Sequence, residues 1–170
     1  IRDSGWQGRV ITAYRPDSVV DPDFEGFSKN LDTLGAITGE DTGHWSGYLE
    51  AHRTRRAYFK SFGATSSDHG HPTAETANHL PKEAGMLFDK VRSGHADQRE
   101  RGLFRAQMLT EMARMSIDDG LVLQIHPGAW RNHSPSMLAH FGRDKGFDIP
   151  TRTDYVGALK PLLDAVGTEP

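Results

Sequence analysis

The 170-residue sequence has no cysteine, no apolar run of membrane-spanning length and no excess of basic residues. Without thiols there are no disulfides, no cysteine-ligated metal sites and no thiol catalysis, and such a sequence fits a reducing compartment, so we expect the cytoplasm. No segment approaches the roughly 18 apolar residues of a transmembrane helix. A net charge of −3 with both signs interspersed predicts no nucleic-acid partner and no membrane partner.

Common nucleotide and hydrolase motifs are also missing. The sequence contains no glycine-rich dinucleotide fingerprint, no phosphate-binding glycine-lysine loop and no serine nucleophile elbow. Nucleotide chemistry and serine hydrolysis therefore lose support.

Three short segments have the character of strands. The apolar run at 121–125 (LVLQI) lies between a glycine and a histidine followed by Pro127-Gly128, and the β-branched run at 9–14 (RVITAY) stops before Pro16. The segment at 63–72 has few large apolar residues, but it lies where a strand should recur. Helices are predicted between and after them, at about 23–39, at 42–63 with Thr42 as the candidate cap, from Pro81, at 97–120, at 137–141 and from Thr153 or Asp154. Residues 142–150 are predicted to be irregular.

Strands that alternate with helical stretches predict a parallel sheet joined by helical crossovers. No linker, repeat or low-complexity tract interrupts the sequence, so residues 1–170 are predicted to form a single domain. Three strands do not close a sheet, and central parallel strands need neighbours and cover on both faces. We therefore expect an α/β fold that is a fragment of a larger barrel or sheet.

Each predicted strand ends in polar side chains. The candidate site residues are Arg15 after the first strand, Asp68, His69 and His71 after the second, and His126, Arg131 and Asn132 after the third. One polar strand end has little meaning, because a lone strand-end histidine is more often structural. Three successive ones, each next to proline or glycine turns, are typical of an active-site face.

The residue types suggest roles. Arginine offers a fixed fork of donors to a carboxylate or phosphate, so Arg15 is a candidate anion clamp, with a local ion pair to Asp17 as the alternative. His69 and His126 are candidates for acid–base chemistry or metal binding. Asp68 is expected to orient an imidazole other than that of its neighbour, because adjacent side chains on a strand point to opposite faces. The spacing of His69 and His71 is a weak metal signal.

The other histidines and the methionines are given structural interpretations. Five histidines lie in predicted helices or polar loops without an evident partner: His44, His52, His79, His95 and His140. His133 directly follows Asn132, so its interpretation is intermediate between structural and functional. The methionines of the 97–120 helix are predicted to fill the core rather than to bind a cofactor.

Four motifs together resemble the uronate (glucuronate) isomerase family of the amidohydrolase superfamily. They are YRPD at 14–17, SDH at 67–69, IHPG at 125–128 continuing to Arg131-Asn132, and GRDKGFDI at 142–149. The resemblance implies that the three strands are the fourth to sixth of a (β/α)8 TIM-type barrel. It also implies interconversion of an aldose uronate, such as glucuronate or galacturonate, with its ketose by proton transfer through an enediol.

The resemblance further implies roles for individual residues. Arg15, Arg131 and Asn132 would bind the sugar acid, His126 and His69 would be catalytic, and Asp68 and His71 would support them. His69 would occupy a fifth-strand position that binds or approaches a divalent metal ion, for which zinc is the expected element.

Two parts of the family's site have no counterpart in the sequence. They are the His-x-His pair of the first strand and the aspartate of the eighth, so the main metal ligands are expected outside this chain. We accordingly expect the fragment alone to be inactive, and the complete enzyme to be a homo-oligomer.

Two alternatives stay open at this point. The first keeps the barrel but changes the reaction to metal-dependent hydrolysis or decarboxylation, because a fold does not determine chemistry. The second is a non-catalytic fragment that associates with copies of itself through its exposed strand edges.

Overall fold

A computed structural model describes residues 3–8 and 10–169. It shows a helix-rich, mixed α/β protein, as the strand and helix pattern predicts. The elements in chain order are α1 (Asp17–Val20), α2 (Phe27–Thr38), α3 (Trp45–Ser61), β1 (Ser66–His69), α4 (Pro81–Arg92), α5 (Gln98–Asp119), β2 (Val122–Ile125), β3 (Ala129–Trp130), α6 (Pro135–Phe141), β4 (Ile149–Pro150) and α7 (Tyr155–Val166).

The two longer strands lie side by side and run parallel. β1 pairs with β2 in a register that places Asp68 opposite Gln124 and His69 opposite Ile125. Tyr14 adds a parallel bridge to Ser67 on the other edge of β1, through hydrogen bonds from Tyr14 N to Ser66 O and from Asp68 N to Tyr14 O. The predicted parallel arrangement is confirmed.

The predicted strand at 9–14 is largely wrong. Only Tyr14 makes a strand contact, and Val10 and Ile11 are 59% and 45% exposed. β-branched residues form a strand where a neighbouring element buries them, and the described residues supply no such neighbour here. Arg9, which begins the predicted strand, lies outside the described residues.

The sheet is covered on one face by helices. Ser67 and His69 of β1 are fully buried, and Leu123 and Ile125 of β2 pack against the core built by α5 and α7. Asp68 and Gln124 alternate to the opposite, more exposed face. Because side chains alternate along a strand, the parity of each residue decides on which side of the sheet its side chain lies.

The long helices follow their sequence signals closely. Asp97 caps α5 by accepting a hydrogen bond from Glu100 N, and Gly120 ends the helix with a φ of 75°. The predicted cap Thr42 is wrong: α3 begins at Trp45 after His44, while the Thr42 hydroxyl donates to Leu31 O of α2. Met108, Met112 and Met115 are buried in the core, as predicted.

The segment between β2 and α7 has more structure than the sequence indicates. β3 and β4 pair antiparallel and enclose α6, whereas the stretch 142–150 was expected to be irregular. Two-residue strands carry almost no periodicity, so this pairing leaves no pattern to detect. None of the helices in the described part of the chain is both long and apolar enough to cross a bilayer.

Candidate active site

A cavity of about 230 Å³ opens at the carboxyl ends of the parallel segments. Of the predicted site residues, Arg15, His71, His126, Arg131 and Asn132 all line it. Three chain segments that are far apart in sequence thus bring their polar strand ends to one place. Ligands of open α/β sheets bind at this edge, because the loops there diverge from a rigid scaffold.

A histidine–aspartate pair spans the two strands at the cavity. His126 Nε2 lies 2.7 Å from Asp68 Oδ1, with the imidazole about one third exposed and the carboxylate about one fifth. Asp68 therefore orients an imidazole on the adjacent strand and not that of its neighbour in sequence. His126 itself lines the cavity, so the oriented ring is within reach of a ligand there.

Arg15 forms the ion pair with Asp17 that the sequence analysis gave as the alternative to an anion clamp. Its Nε donates to Asp17 Oδ2 at 2.7 Å and lies 3.6 Å from Asp68 Oδ2. The hydrogen bond to Asp17 raises the pKa of Arg15 above its usual value, which keeps the guanidinium charged. Asp17 was considered only as an ion-pair partner, but its other oxygen accepts from Gly70 N at 3.1 Å and so joins the first strand end to the second.

Gly70 is a site residue that the sequence analysis missed. A β-carbon at this position would lie 2.8 Å from Arg15 Nη2, 2.9 Å from Asp17 Oδ2 and 3.3 Å from His126 Cε1. A side chain cannot fit without moving the groups that form the cavity. The available signal was its position directly after the polar strand end at 67–69, where close approach of backbone favours glycine.

His69 lies apart from the other site residues. Its ring is fully buried on the helix-covered face of β1, where Nε2 is 3.2 Å from Ser67 Oγ. Burial lowers the pKa of His69 well below its usual value, and the ring of His71 lies 5.8 Å away. His69 is thus on the opposite side of the sheet from the His126–Asp68 pair, and its predicted catalytic role stays a prediction.

His71 reaches the cavity from the turn after β1. The side chain is 4% exposed, and burial lowers the pKa of His71 to about 4, so the ring is neutral near pH 7. Neither ring nitrogen has a hydrogen-bond partner within residues 3–8 and 10–169. A buried, neutral imidazole at the base of the cavity contributes shape more readily than charge.

Arg131 and Asn132 lie in the segment from β3 to β4, named the β3–β4 excursion, and Asp144 of the same segment contacts both residues. Asn132 Oδ1 accepts from Asp144 N at 2.7 Å, and Arg131 Nη1 lies 3.9 Å from Asp144 Oδ1. Asn132 and Asp144 both have positive φ, 54° and 57°, a conformation that these two residue types tolerate better than most. Asp144 is a further residue that the sequence analysis did not single out.

His52 has the structural role expected from the sequence, and the structure adds a partner that the sequence does not reveal. His52 is fully buried in α3, and its Nδ1 lies 2.6 Å from the hydroxyl of Tyr14. Burial lowers the pKa of His52 to about 3 and raises that of Tyr14. The neutral pair holds the residue before Arg15 in place, and sequence spacing gives no indication of a contact across 38 residues.

The described residues do not form a metal site. No group of three or more histidine, aspartate or glutamate side chains in that part of the chain is arranged to hold a metal ion. His126 uses one ring nitrogen for Asp68, and His69 faces the helices. Divalent ions need several converging donors, so this set does not fit one by itself.

The fold and the cavity define a mixed α/β protein with a polar, small-molecule-sized site at the ends of parallel strands. The chain belongs to the glucuronate isomerase family, whose sequence profile matches residues 2–169. The family resemblance carried by the four motifs is thereby confirmed.

Relatives and solved structures agree. The uronate isomerase of Mesorhizobium japonicum is 78% identical over 169 residues, which is 99% of this chain and 36% of that protein. The crystal structure of glucuronate isomerase from Caulobacter crescentus shares 56% identity with a TM-score of 0.94 over 99% of this chain and 35% of that one. The uronate isomerase structure from Thermotoga maritima shares 28% identity with a TM-score of 0.84 over 91% of this chain and 35% of that one. The chain thus spans about a third of the length of the proteins it matches.

Proposed function

We propose that this chain is the central segment of a uronate isomerase that interconverts an aldose uronate, such as glucuronate or galacturonate, with its ketose. The observation that carries the proposal is the convergence of Arg15 and the His126–Asp68 pair at one cavity, in a chain that belongs to the glucuronate isomerase family. In the complete enzyme the parallel segments are strands four to six of a (β/α)8 barrel.

Each group has a task in such a reaction. Moving a proton between adjacent carbons through an enediol requires a base near the carbon and donors near the developing oxygen charge. Asp68 fixes the His126 ring, which then exchanges a proton or hydrogen bond with a sugar oxygen. Arg15, Arg131 and Asn132 bind the sugar acid and hold it in register, which lowers the entropic part of the barrier.

The carbon base and the metal ligands are assigned to other parts of the complete protein. The described residues do not fit a divalent ion by themselves, and their proposed roles are substrate binding, orientation of an imidazole and proton exchange. The isolated chain should accordingly be inactive. The cytoplasmic location and the homo-oligomeric state stay predictions.

The test is turnover by the full-length protein that contains this chain. We expect the ketose to form from glucuronate or galacturonate, followed by NMR, and we expect none from the 170-residue chain alone. Arg15→Ala in the full-length protein should remove most of the turnover while circular dichroism stays unchanged. A full-length protein that leaves both uronates untouched would refute the proposed function.

The leading alternative is metal-dependent hydrolysis or decarboxylation on the same barrel. A histidine–aspartate pair beside arginines also suits those reactions, because each involves a negative charge that develops on oxygen. A panel of lactones, amides and carboxylic acids, tested beside the uronates, separates the two. Faster turnover of a lactone or amide than of any uronate would favour the alternative.

Self-association through strand edges is the other alternative. β2 pairs only with β1 among the described residues, and Val122 is 63% exposed. Light scattering tests this on the isolated chain and on the full-length protein. If the isolated chain associates and the full-length protein does not, the strand edge exposed in the chain is one that the remaining strands cover in the full-length protein.

A further inference from the structure

Asp17 is a carboxylate at the cavity that the proposed reaction does not use. It lines the cavity, yet both of its oxygens are engaged by other parts of the chain. Oδ2 accepts from Arg15 Nε at 2.7 Å, and Oδ1 accepts from Gly70 N at 3.1 Å. A carboxylate whose two oxygens already accept from protein donors is poorly placed to bind a ligand or to move a proton. Its contribution is therefore made through the two groups that it holds.

Arg15 benefits from such a partner because much of its side chain lies in solvent. The side chain is 49% exposed, and a long side chain in solvent samples many rotamers. The bond to Asp17 uses Nε, so it restricts the orientation of the guanidinium and leaves Nη1 and Nη2 outside that bond. The side chain is then ordered before a ligand arrives, and a preorganised group binds its ligand more tightly.

Asp68 makes the orientation of Arg15 more important. It is the other carboxylate within 4 Å of Arg15 in the described part of the chain, with Oδ2 at 3.6 Å from Nε. Its Oδ1 lies 2.7 Å from His126 Nε2. Without Asp17, the attraction of Asp68 would draw the guanidinium toward the carboxylate that orients His126. Asp17 thus keeps Arg15 apart from the His126–Asp68 pair.

The turn at Gly70 fixes Asp17 in return. The hydrogen bond from Gly70 N ties the carboxylate to the end of β1, 53 residues away in sequence. A β-carbon at residue 70 would lie 2.9 Å from Asp17 Oδ2 and 2.8 Å from Arg15 Nη2, so the ion pair packs directly on the glycine backbone. The Asp17 side chain is 17% exposed. A carboxylate held at both oxygens restrains its partner more strongly than a solvated surface pair does.

We propose that Asp17 is a positioning residue, which holds the guanidinium of Arg15 in the orientation that meets the substrate and away from Asp68. This inference rests on the proposed function, because it takes a sugar acid to be the ligand of the cavity. In this assignment Asp17 contacts no substrate atom, and its effect on turnover passes through Arg15.

A double-mutant cycle in the full-length protein tests whether Asp17 acts through Arg15. Asp17→Asn has nearly the same shape but offers one acceptor oxygen to two donors. We expect kcat/KM on glucuronate to fall about 10- to 100-fold, the usual effect of losing a charge-assisted hydrogen bond. In an Arg15→Met background the same substitution should change kcat/KM by less than about twofold, because the group that Asp17 holds is absent. An equal fall in both backgrounds, or no fall in the first, overturns the assignment.

Ligand binding supplies a readout that does not depend on turnover. The aldonic acid obtained by reducing the aldehyde of glucuronate keeps the carboxylate and cannot isomerise. Calorimetry should show its dissociation constant rising at least about fivefold in Asp17→Asn and changing less than about twofold when Asp17→Asn is added to Arg15→Met. An unchanged constant in Asp17→Asn contradicts the positioning role.

Asp23→Asn is the matched control. It removes one negative charge close by in sequence, from a carboxylate that pairs with Arg101 and Arg105 and does not line this cavity. Its kcat/KM should stay within about twofold of the wild type. A fall equal to that of Asp17→Asn would mean that loss of charge, and not the position of Arg15, is responsible, and would overturn the assignment.

Folding and the proposed function are checked separately. If circular dichroism shows that Asp17→Asn does not fold, Asp17→Ser replaces it in the cycle, because a hydroxyl still accepts from Gly70 N. A wild-type protein that turns over no uronate refutes the proposed function. A wild-type protein that is active, with equal effects of Asp17→Asn in both backgrounds, refutes only the positioning role, so the two failures are distinguishable.

Discussion

The two faces of the small parallel sheet place histidine side chains in opposite environments. On the helix-covered face, His69 is fully buried and lies near Ser67 and His71. On the opposite face, one position earlier along the same strand, Asp68 binds the partly exposed His126. A shift of one residue along an extended chain thus separates a neutral, enclosed imidazole from one that a ligand can reach.

The difference shows what burial does to histidine chemistry. Desolvation disfavours the charged form, so the pKa values of His52 and His69 fall, and both rings are held neutral near pH 7. At the cavity, Arg15 and His126 keep contact with solvent and with carboxylates. The helix-covered face is therefore expected to respond to substitution through stability, and the cavity face through turnover.

The largest effect is expected at the cavity face. His126→Ala in the full-length protein should lower kcat about 10²- to 10⁴-fold on uronates, because it removes an acid–base group together with its contact to Asp68. His140→Ala, on the exposed helix α6, is the control and should leave kcat unchanged. Steady-state kinetics checks both, and a similar fall in the two variants would contradict the contrast between the faces.

The next effect is expected behind the helix-covered face. The guanidinium of Arg56 is buried and donates to Asp119 at 2.6 and 2.9 Å, which joins α3 to α5. Arg56→Met should lower the free energy of unfolding by about 3 kcal/mol, because it leaves a half-buried carboxylate with fewer donors. Urea denaturation of the full-length protein measures this. Arg53→Met, at a surface pair with Glu50, should cost less than about 0.5 kcal/mol, and equal costs would show that burial of the pair is unimportant.

A smaller effect should follow pH. Burial lowers the pKa of His52 from 6.5 to about 3, so between these values the unfolded chain binds a proton that the folded chain does not. The free energy of unfolding is therefore highest above pH 6.5 and falls as the pH falls, by about 2 kcal/mol at pH 5. His52→Gln should therefore lose less stability than the wild type between pH 7 and pH 5. The free energies of unfolding are measured by urea denaturation at both pH values. An equal loss between pH 7 and pH 5 in the wild type and in His52→Gln would contradict the assignment.

The smallest effect is expected in the β3–β4 excursion. Asn132→Ala removes the hydrogen bond from Asp144 N and leaves a left-handed backbone without a suitable residue, so KM should rise about three- to fivefold. Asn132→Gly keeps the backbone conformation and loses only the side chain, and its KM should rise less. An equal rise in KM for the two variants would mean that the hydrogen bond, which both lose, matters more than the backbone conformation.

Prediction from sequence succeeded where a local signal exists. Asp97 and Gly120 mark both ends of α5, and the run at 121–125 gives β2 almost to the residue. It failed where the cause is distant. The run at 9–14 has strand composition but lacks a neighbour beyond Tyr14, and the cap at Thr42 is used for a contact with α2. Strand formation and capping both depend on what lies across the contact.

The site shows the same division. The gathering of Arg15, His126, Arg131 and Asn132 follows from strand ends in a parallel sheet, and so could be predicted. The contributions of Gly70 and Asp144 could not, because each depends on a close approach to residues outside its own helix or strand.

By itself the sequence determined the alternation of helices and strands, the polar strand ends and the family, since these reside in composition, periodicity and motifs. Only the tertiary structure decided which imidazole is enclosed and which lies beside a carboxylate at the cavity. His69 faces the helices because the register of β1 sets its parity, and His126 meets Asp68 because the two strands lie side by side. Burial and charge pairing are properties of neighbours in space, and these exist only after the chain has folded.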